Sequence, residues 1–115
     1  MLAVIGGTGL NDLDKLDGFE RRGTEQFRSR YADEPVDVGV FAYAGHEFFF
    51  LPRHGKGHVV PPHRINYRAN IDALKSAGAE AIVAMNAVGG IADNLGPGVL
   101  AIPDQIIDYS YGRES

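Results

Sequence analysis

The chain opens on a short apolar run, Leu2-Ala3-Val4-Ile5, that passes at once into Gly6-Gly7-Thr8-Gly9. This junction constrains the rest of the fold. A run of that length with a β-branched centre predicts a buried strand. Glycine directly after it lets the backbone turn at positive φ and brings its amides close to a ligand. Successive amides in such a turn form a nest with partial positive charge, and the Thr8 hydroxyl adds one donor. The stretch reads equally well as a phosphate loop and as a tight turn after an N-terminal strand. Two better-known loops are excluded. A dinucleotide fingerprint needs a third glycine three residues after the second, and Leu10-Asn11-Asp12 stands there instead. A triphosphate loop needs Gly-Lys followed by Ser or Thr, whereas Gly55-Lys56 is followed by Gly57.

Further along, Leu13, Leu16 and Phe19 lie three apart and predict a short helical face. Val36, Val38 and Val40 alternate with Asp37 and Gly39, the pattern of a half-buried strand. Ala44-Gly45 predicts a turn, and residues 46–51 a second strand with Phe48 and Phe50 on one face and Phe49 and Leu51 on the other. The two strands form a hairpin whose phenylalanines read as core. Pro52 stops the second strand, and Arg53-His54-Gly55-Lys56-Gly57-His58 follows as a basic, glycine-punctuated loop. Pro61-Pro62 leads into a helix with Tyr67, Ile71 and Leu74 as its buried stripe and Gly78 as its C-terminal cap. Ala81-Ile82-Val83-Ala84-Met85 is continuously apolar, which predicts a parallel strand covered on both faces. Gly89-Gly90 ends it, Gly96-Pro97-Gly98 turns the chain, and residues 99–102 read as a further strand. Strand, helix and parallel strand make this an α/β chain with a right-handed crossover.

At 115 residues the chain is at most one domain. A net charge of −4 argues against a nucleic-acid surface, which calls for clustered Lys and Arg. The absence of cysteine removes disulfides and thiolate metal sites. No apolar run approaches 18 residues and no signal-like start is present, so the expectation is a cytoplasmic protein with no membrane contact.

In open α/β sheets ligands lie beyond the carboxyl ends of the strands. Three predicted strand ends carry anion-binding groups: the glycine turn with Thr8, Arg53-His54, and Asn86-Ala87-Val88-Gly89-Gly90. Arg53 offers a planar fork suited to phosphate, His54 a donor if its tautomer permits, and Asn86 an amide. An Arg-His pair in a loop is by itself usually a solvated feature, and the three sites together are what carry weight.

The chain resembles the trimeric purine nucleoside phosphorylase and methylthioadenosine phosphorylase family. The resemblance runs through VIGGTGL, LPRHGKGHVVPPHRINYRANIDAL, NAVGGI and GPGVLAIPDQIID. The Arg53-His54-Gly55 run and Asn66-Tyr67 with Ala69-Asn70-Ile71 look more like the methylthio-nucleoside branch. The resemblance implies a phosphorylase/hydrolase-like α/β fold with a central mixed β-sheet flanked by helices. Residues 1–115 would be the N-terminal part of a single domain, apparently truncated. It also implies a reaction in which inorganic phosphate, a co-substrate, attacks C1′ of a purine (5′-methylthio)ribonucleoside. No metal or organic cofactor is implied, and the complete protein would be a homotrimer.

By the same resemblance Thr8 falls on the phosphate-binding hydroxyl and Arg53 and His54 on the phosphate-binding pair. Asn86 and Ala87 fall on phosphate and ribose contacts, Val88 and Gly89 near the base, and His58 near the sugar. Relatives of the methylthioadenosine type often have Thr in place of Asn86. His46 and His63 read as turn and surface residues, and Asp104 and Asp108 as structural. No catalytic acid or base is assigned to this chain, because the family's purine-binding acid and further ribose contacts belong to a second half. Two rival readings stand beside this one: another phosphate-using α/β enzyme, and a non-catalytic phosphate-binding or oligomerisation module.

Overall fold

The computed structural model describes residues 1–57 and 59–112. One five-stranded mixed sheet organises them. Its strands are β1 (Leu2–Gly6), β2 (Phe19–Phe27), β3 (Val36–Tyr43), β4 (His46–Pro52) and β5 (Ala81–Ala84), and an α-helix, α1 (Tyr67–Ala77), precedes β5. The strand order is β2-β3-β4-β1-β5. β3 runs antiparallel to both its neighbours, β2 and β4. β4, β1 and β5 are parallel, with Ile5 opposite both Leu51 and Ala84. Three parallel strands therefore end side by side with β1 in the middle.

The β3–β4 hairpin follows from its sequence. Ala44 and Gly45 both take positive φ, +50° and +82°, the requirement of a two-residue turn matched to strand twist. Alternation then splits the phenylalanines. Phe49 and Leu51 join Ala3, Val38, Ala73 and Leu74 in the core under α1. Phe50 joins Phe41 and Leu13 on the opposite face, with Phe48 packed against them. Phe49 and Phe50 are core, as expected, while Phe48 is half-buried and Tyr43 exposed.

Helix α1 starts where Asn66 caps it: the Asn66 side chain accepts from the Ala69 N–H at 3.0 Å and donates to the Tyr31 carbonyl at 2.7 Å. It ends at Gly78, whose φ of +99° is the left-handed cap glycine tolerates. Its buried stripe differs from the expected one. Ala69, Ala73 and Leu74 face the sheet, while Tyr67 and Ile71 are exposed. Alanines four apart let the helix lie close to the strands, and the larger apolar residues are displaced to the outer side.

Three other expectations are corrected. Residues 13–19 form no extended helix: Leu13–Lys15 make one 3-10 turn with Leu13 buried and Leu16 exposed, and Phe19 begins β2. β2 itself is the strand that composition hides, because an edge strand with solvent at most positions carries Glu20, Arg21, Arg22, Thr24, Glu25 and Gln26. β5 is parallel as expected, but all four of its residues are exposed; it lies at the sheet edge with β1 as its only neighbour among the described residues. Residues 99–102 form no strand. Among the described residues no helix is long and apolar enough to cross a membrane.

Candidate phosphate site at the parallel strand ends

Each glycine at the end of β1 answers to a different contact. A Cβ on Gly6 would stand 2.0 Å from the Leu10 carbonyl oxygen and 2.7 Å from the Phe50 ring. The backbone folds back on itself there, closed by the Leu10 N–H donating to the Gly7 carbonyl at 2.8 Å. A Cβ on Gly7 would fall 2.1 Å from the Arg53 guanidinium carbon. Gly9 takes a φ of +85°. Thr8, between them, is exposed at the rim.

Arg53 leaves the end of β4 and ties the three strand ends together. Its backbone N–H donates to the Gly6 carbonyl at 3.0 Å, extending the β4–β1 ladder by one bond. Its Nη1 donates to the Met85 carbonyl at 2.7 Å. Met85 directly follows β5, and its own N–H donates to the Ile5 carbonyl at 2.9 Å. The guanidinium thus bridges from β4 across the β1 turn to the end of β5, with Asn86 the next residue along. Thr8, Arg53 and Asn86 are brought to one edge of the sheet. Ala87, Val88 and Gly89 continue from it as exposed, irregular chain, Val88 at 84% exposure. His58 lies outside the described residues.

His54 is 4% exposed. Its Nδ1 lies 2.8 Å from the Val60 carbonyl, and the Val60 N–H donates back to the His54 carbonyl at 2.7 Å. A carbonyl only accepts, so Nδ1 carries the proton, and in the neutral ring Nε2 is an acceptor. His54 therefore ties itself to Val60 and presents a second donor only as the imidazolium. Gly55 and Gly57 supply the positive φ that this tight loop needs, +75° and +79°. Asn11 reaches across from the β1 loop, its Nδ2 donating to the Gly55 carbonyl at 3.3 Å, while its buried Oδ1 has no partner among the described residues.

Beside Arg53 and Gly55 lies a concavity of about 840 Å³ whose walls include Asn11, Lys56, Phe41 and Arg21. Arg21 is not free to move into it. Its fork donates to both Asp14 carboxylate oxygens at 3.1 and 2.8 Å and its face lies 4.6 Å over the Phe41 ring. Those hydrogen bonds from Arg21 hold the Asp14 carboxyl below the usual carboxylate range. Arg53 lines the same concavity with Lys15, Lys56 and Arg64, and it is the one tied to the end of β5. Sequence reasoning found the three loops but missed Gly7 as the bed of Arg53 and the Met85 carbonyl as its anchor. A backbone acceptor leaves no trace in residue type; the doubled glycine was the available signal.

The family model of the phosphorylase superfamily matches residues 2–115. The chain belongs to that superfamily. Among relatives of this chain, a probable S-methyl-5′-thioinosine phosphorylase of Xanthomonas campestris is 50% identical over 114 residues, 99% of this chain and 44% of its own length. An S-methyl-5′-thioadenosine phosphorylase of Rhodospirillum rubrum is 46% identical over 99% of this chain and 38% of its own. Among solved structures, a point mutant of adenosine/methylthioadenosine phosphorylase from Schistosoma mansoni, in complex with methylthioadenosine, superposes with a TM-score of 0.81. It is 36% identical, and the match covers 98% of this chain and 39% of that one. The chain spans less than half the length of the relatives it matches. The mixed sheet is the phosphorylase fold, as expected.

Proposed function

We propose that the full-length protein catalyses phosphorolysis of purine ribonucleosides, with 5′-methylthio nucleosides as preferred substrates, and that residues 1–115 supply the N-terminal part of its single domain. The observation that carries this reading is Arg53, held across the ends of β4, β1 and β5 beside a glycine turn. The names of the relatives support the substrate class. Phosphate is gathered by the turn amides, the Thr8 hydroxyl, the Arg53 fork and the Asn86 amide. One phosphate oxygen then bonds to C1′ as the bond from C1′ to the purine nitrogen breaks. The electron pair leaves with the purine, which takes up a proton, and the sugar departs as its 1-phosphate. The transition state is oxocarbenium-like, so an anion fixed against C1′ both positions the nucleophile and stabilises the developing charge. No metal or organic cofactor enters the scheme. A homotrimer and a cytoplasmic location are proposed with it; light scattering on the full-length protein tests the assembly.

The test is release of free purine from methylthioadenosine, methylthioinosine and inosine by the full-length protein, with and without inorganic phosphate. Phosphate-dependent release supports the reading; release independent of phosphate, or none from any purine nucleoside, sinks it. Thr8→Ala is expected to weaken phosphate more than nucleoside by about 0.5–3 kcal/mol, while Thr8→Ser, which keeps the hydroxyl, stays mild. If Ser proves as damaging as Ala, the methyl group is the part that matters and Thr8 leaves the phosphate site.

A further inference from the structure

We propose that Gly7 is a positioning residue for Arg53: its missing side chain is the bed on which the phosphate-binding guanidinium lies. The inference rests on the phosphorolysis reading above. Three restraints define the guanidinium. Its backbone is tied to the Gly6 carbonyl, and its Nη1 to the Met85 carbonyl. Its flat face rests on Gly7, where the nearest atoms to an added Cβ are Arg53 Cζ, Nη2 and Nη1 at 2.1, 2.1 and 2.2 Å. With Met85 holding one of five N–H donors, these restraints fix the direction in which the others point.

The neighbouring glycine shows why the role belongs to Gly7. At Gly6 the obstruction is the backbone oxygen of Leu10, so a side chain there deforms the turn itself. At Gly7 the obstruction is the far end of a flexible side chain, and Gly7 is not among the residues at positive φ. Alanine at 7 is thus compatible with the local backbone, and what gives way is Arg53. To reach ordinary contact at 3.4 Å from 2.1 Å the guanidinium shifts by about 1 Å, the scale of displacement that costs a positioned group up to about a hundredfold.

The experiment is a double-mutant cycle in the full-length protein with Gly7→Ala, Arg53→Ala and the pair. The readouts are titration with inorganic phosphate, KM for phosphate against KM for nucleoside, and Tm. Gly7→Ala is expected to weaken phosphate by about ten- to a hundredfold, with the nucleoside KM within about twofold and the Tm held. In the Arg53→Ala background it should add no further loss, because the two act as one unit. An equal loss in that background, or no loss in the single variant, overturns the proposal. Should Gly7→Ala fail to fold, the double variant decides: recovery of a cooperative melt on removing the Arg53 side chain supports the clash, and persistent unfolding refutes it. A wild-type protein that does not bind phosphate overturns the phosphorolysis reading itself. Phosphate binding that depends on Arg53 but not on Gly7 overturns this inference alone.

Discussion

Arg53→Ala in the full-length protein is expected to lower kcat/KM for phosphate by about a hundredfold, with both a raised phosphate KM and a lowered kcat. A charge-assisted hydrogen bond contributes about 1.5–3 kcal/mol, and about 1.4 kcal/mol is a factor of ten, so a two-pronged contact accounts for the loss. The structure adds a second cost. Truncation strips the Met85 carbonyl of its 2.7 Å donor and empties the bed on Gly7, so the end of β5 loses the side-chain tie that holds it to β4. The effect on kcat follows from that tie, since Asn86 stands next to Met85 and shifts with it. Arg53→Lys should recover only part, because an ammonium cannot lie flat on Gly7, reach the Met85 carbonyl and present a fork together. Steady-state kinetics with phosphate varied at saturating nucleoside checks this, and an unchanged phosphate dependence in Arg53→Ala would remove Arg53 from the site.

Much of the sheet was legible because four of its strands obey simple patterns. β1, β4 and β5 carry apolar runs, and β3 begins with an alternating one. β2 was illegible for the opposite reason: at the sheet edge solvent surrounds most of its side chains, so the sequence carries no hydrophobic period to read. The misplaced stripe of α1 has a related cause. Weighting by size favoured Tyr67 and Ile71, but close approach of helix to sheet favours small residues, and Ala69 and Ala73 took the buried face. Leu74, on both the expected and the observed stripe, is fully buried.

At the site, the glycine turn and the Arg53 loop are visible as residue types, and the rule that ligands gather at the carboxyl ends of parallel strands puts them together from the sequence alone. What the sequence could not supply was the division of labour within each pair. Gly6 and Gly7 look alike as letters, yet one is required by a backbone oxygen and the other by a guanidinium. Arg53 and His54 look like two donors side by side, yet His54 turns inward to the Val60 carbonyl.

Residues Met1–Ser115 expressed alone are expected to release no purine from any nucleoside. The groups proposed to bind phosphate would be present, but from Asn86 onward the chain is exposed and irregular, so Val88 and Gly89, assigned to the base by resemblance, stand open to solvent. Without a group to receive the charge of the departing purine, the electrostatic part of the rate enhancement is lost, and that is usually the largest part. The sheet points the same way. Ile82 and Val83 on β5 are 39% and 44% exposed, an uncovered apolar edge of the kind that pairs with other chains, while the relatives matched are more than twice as long as this stretch. Phosphate binding without turnover is the expected residue of function. Circular dichroism and hydrogen exchange would first establish whether the stretch folds, and purine release would then be assayed from methylthioadenosine, methylthioinosine and inosine beside the full-length protein. Phosphate-dependent release by the short chain, abolished by Arg53→Ala, would show that its strand ends suffice for catalysis and that the departing purine needs no partner beyond them.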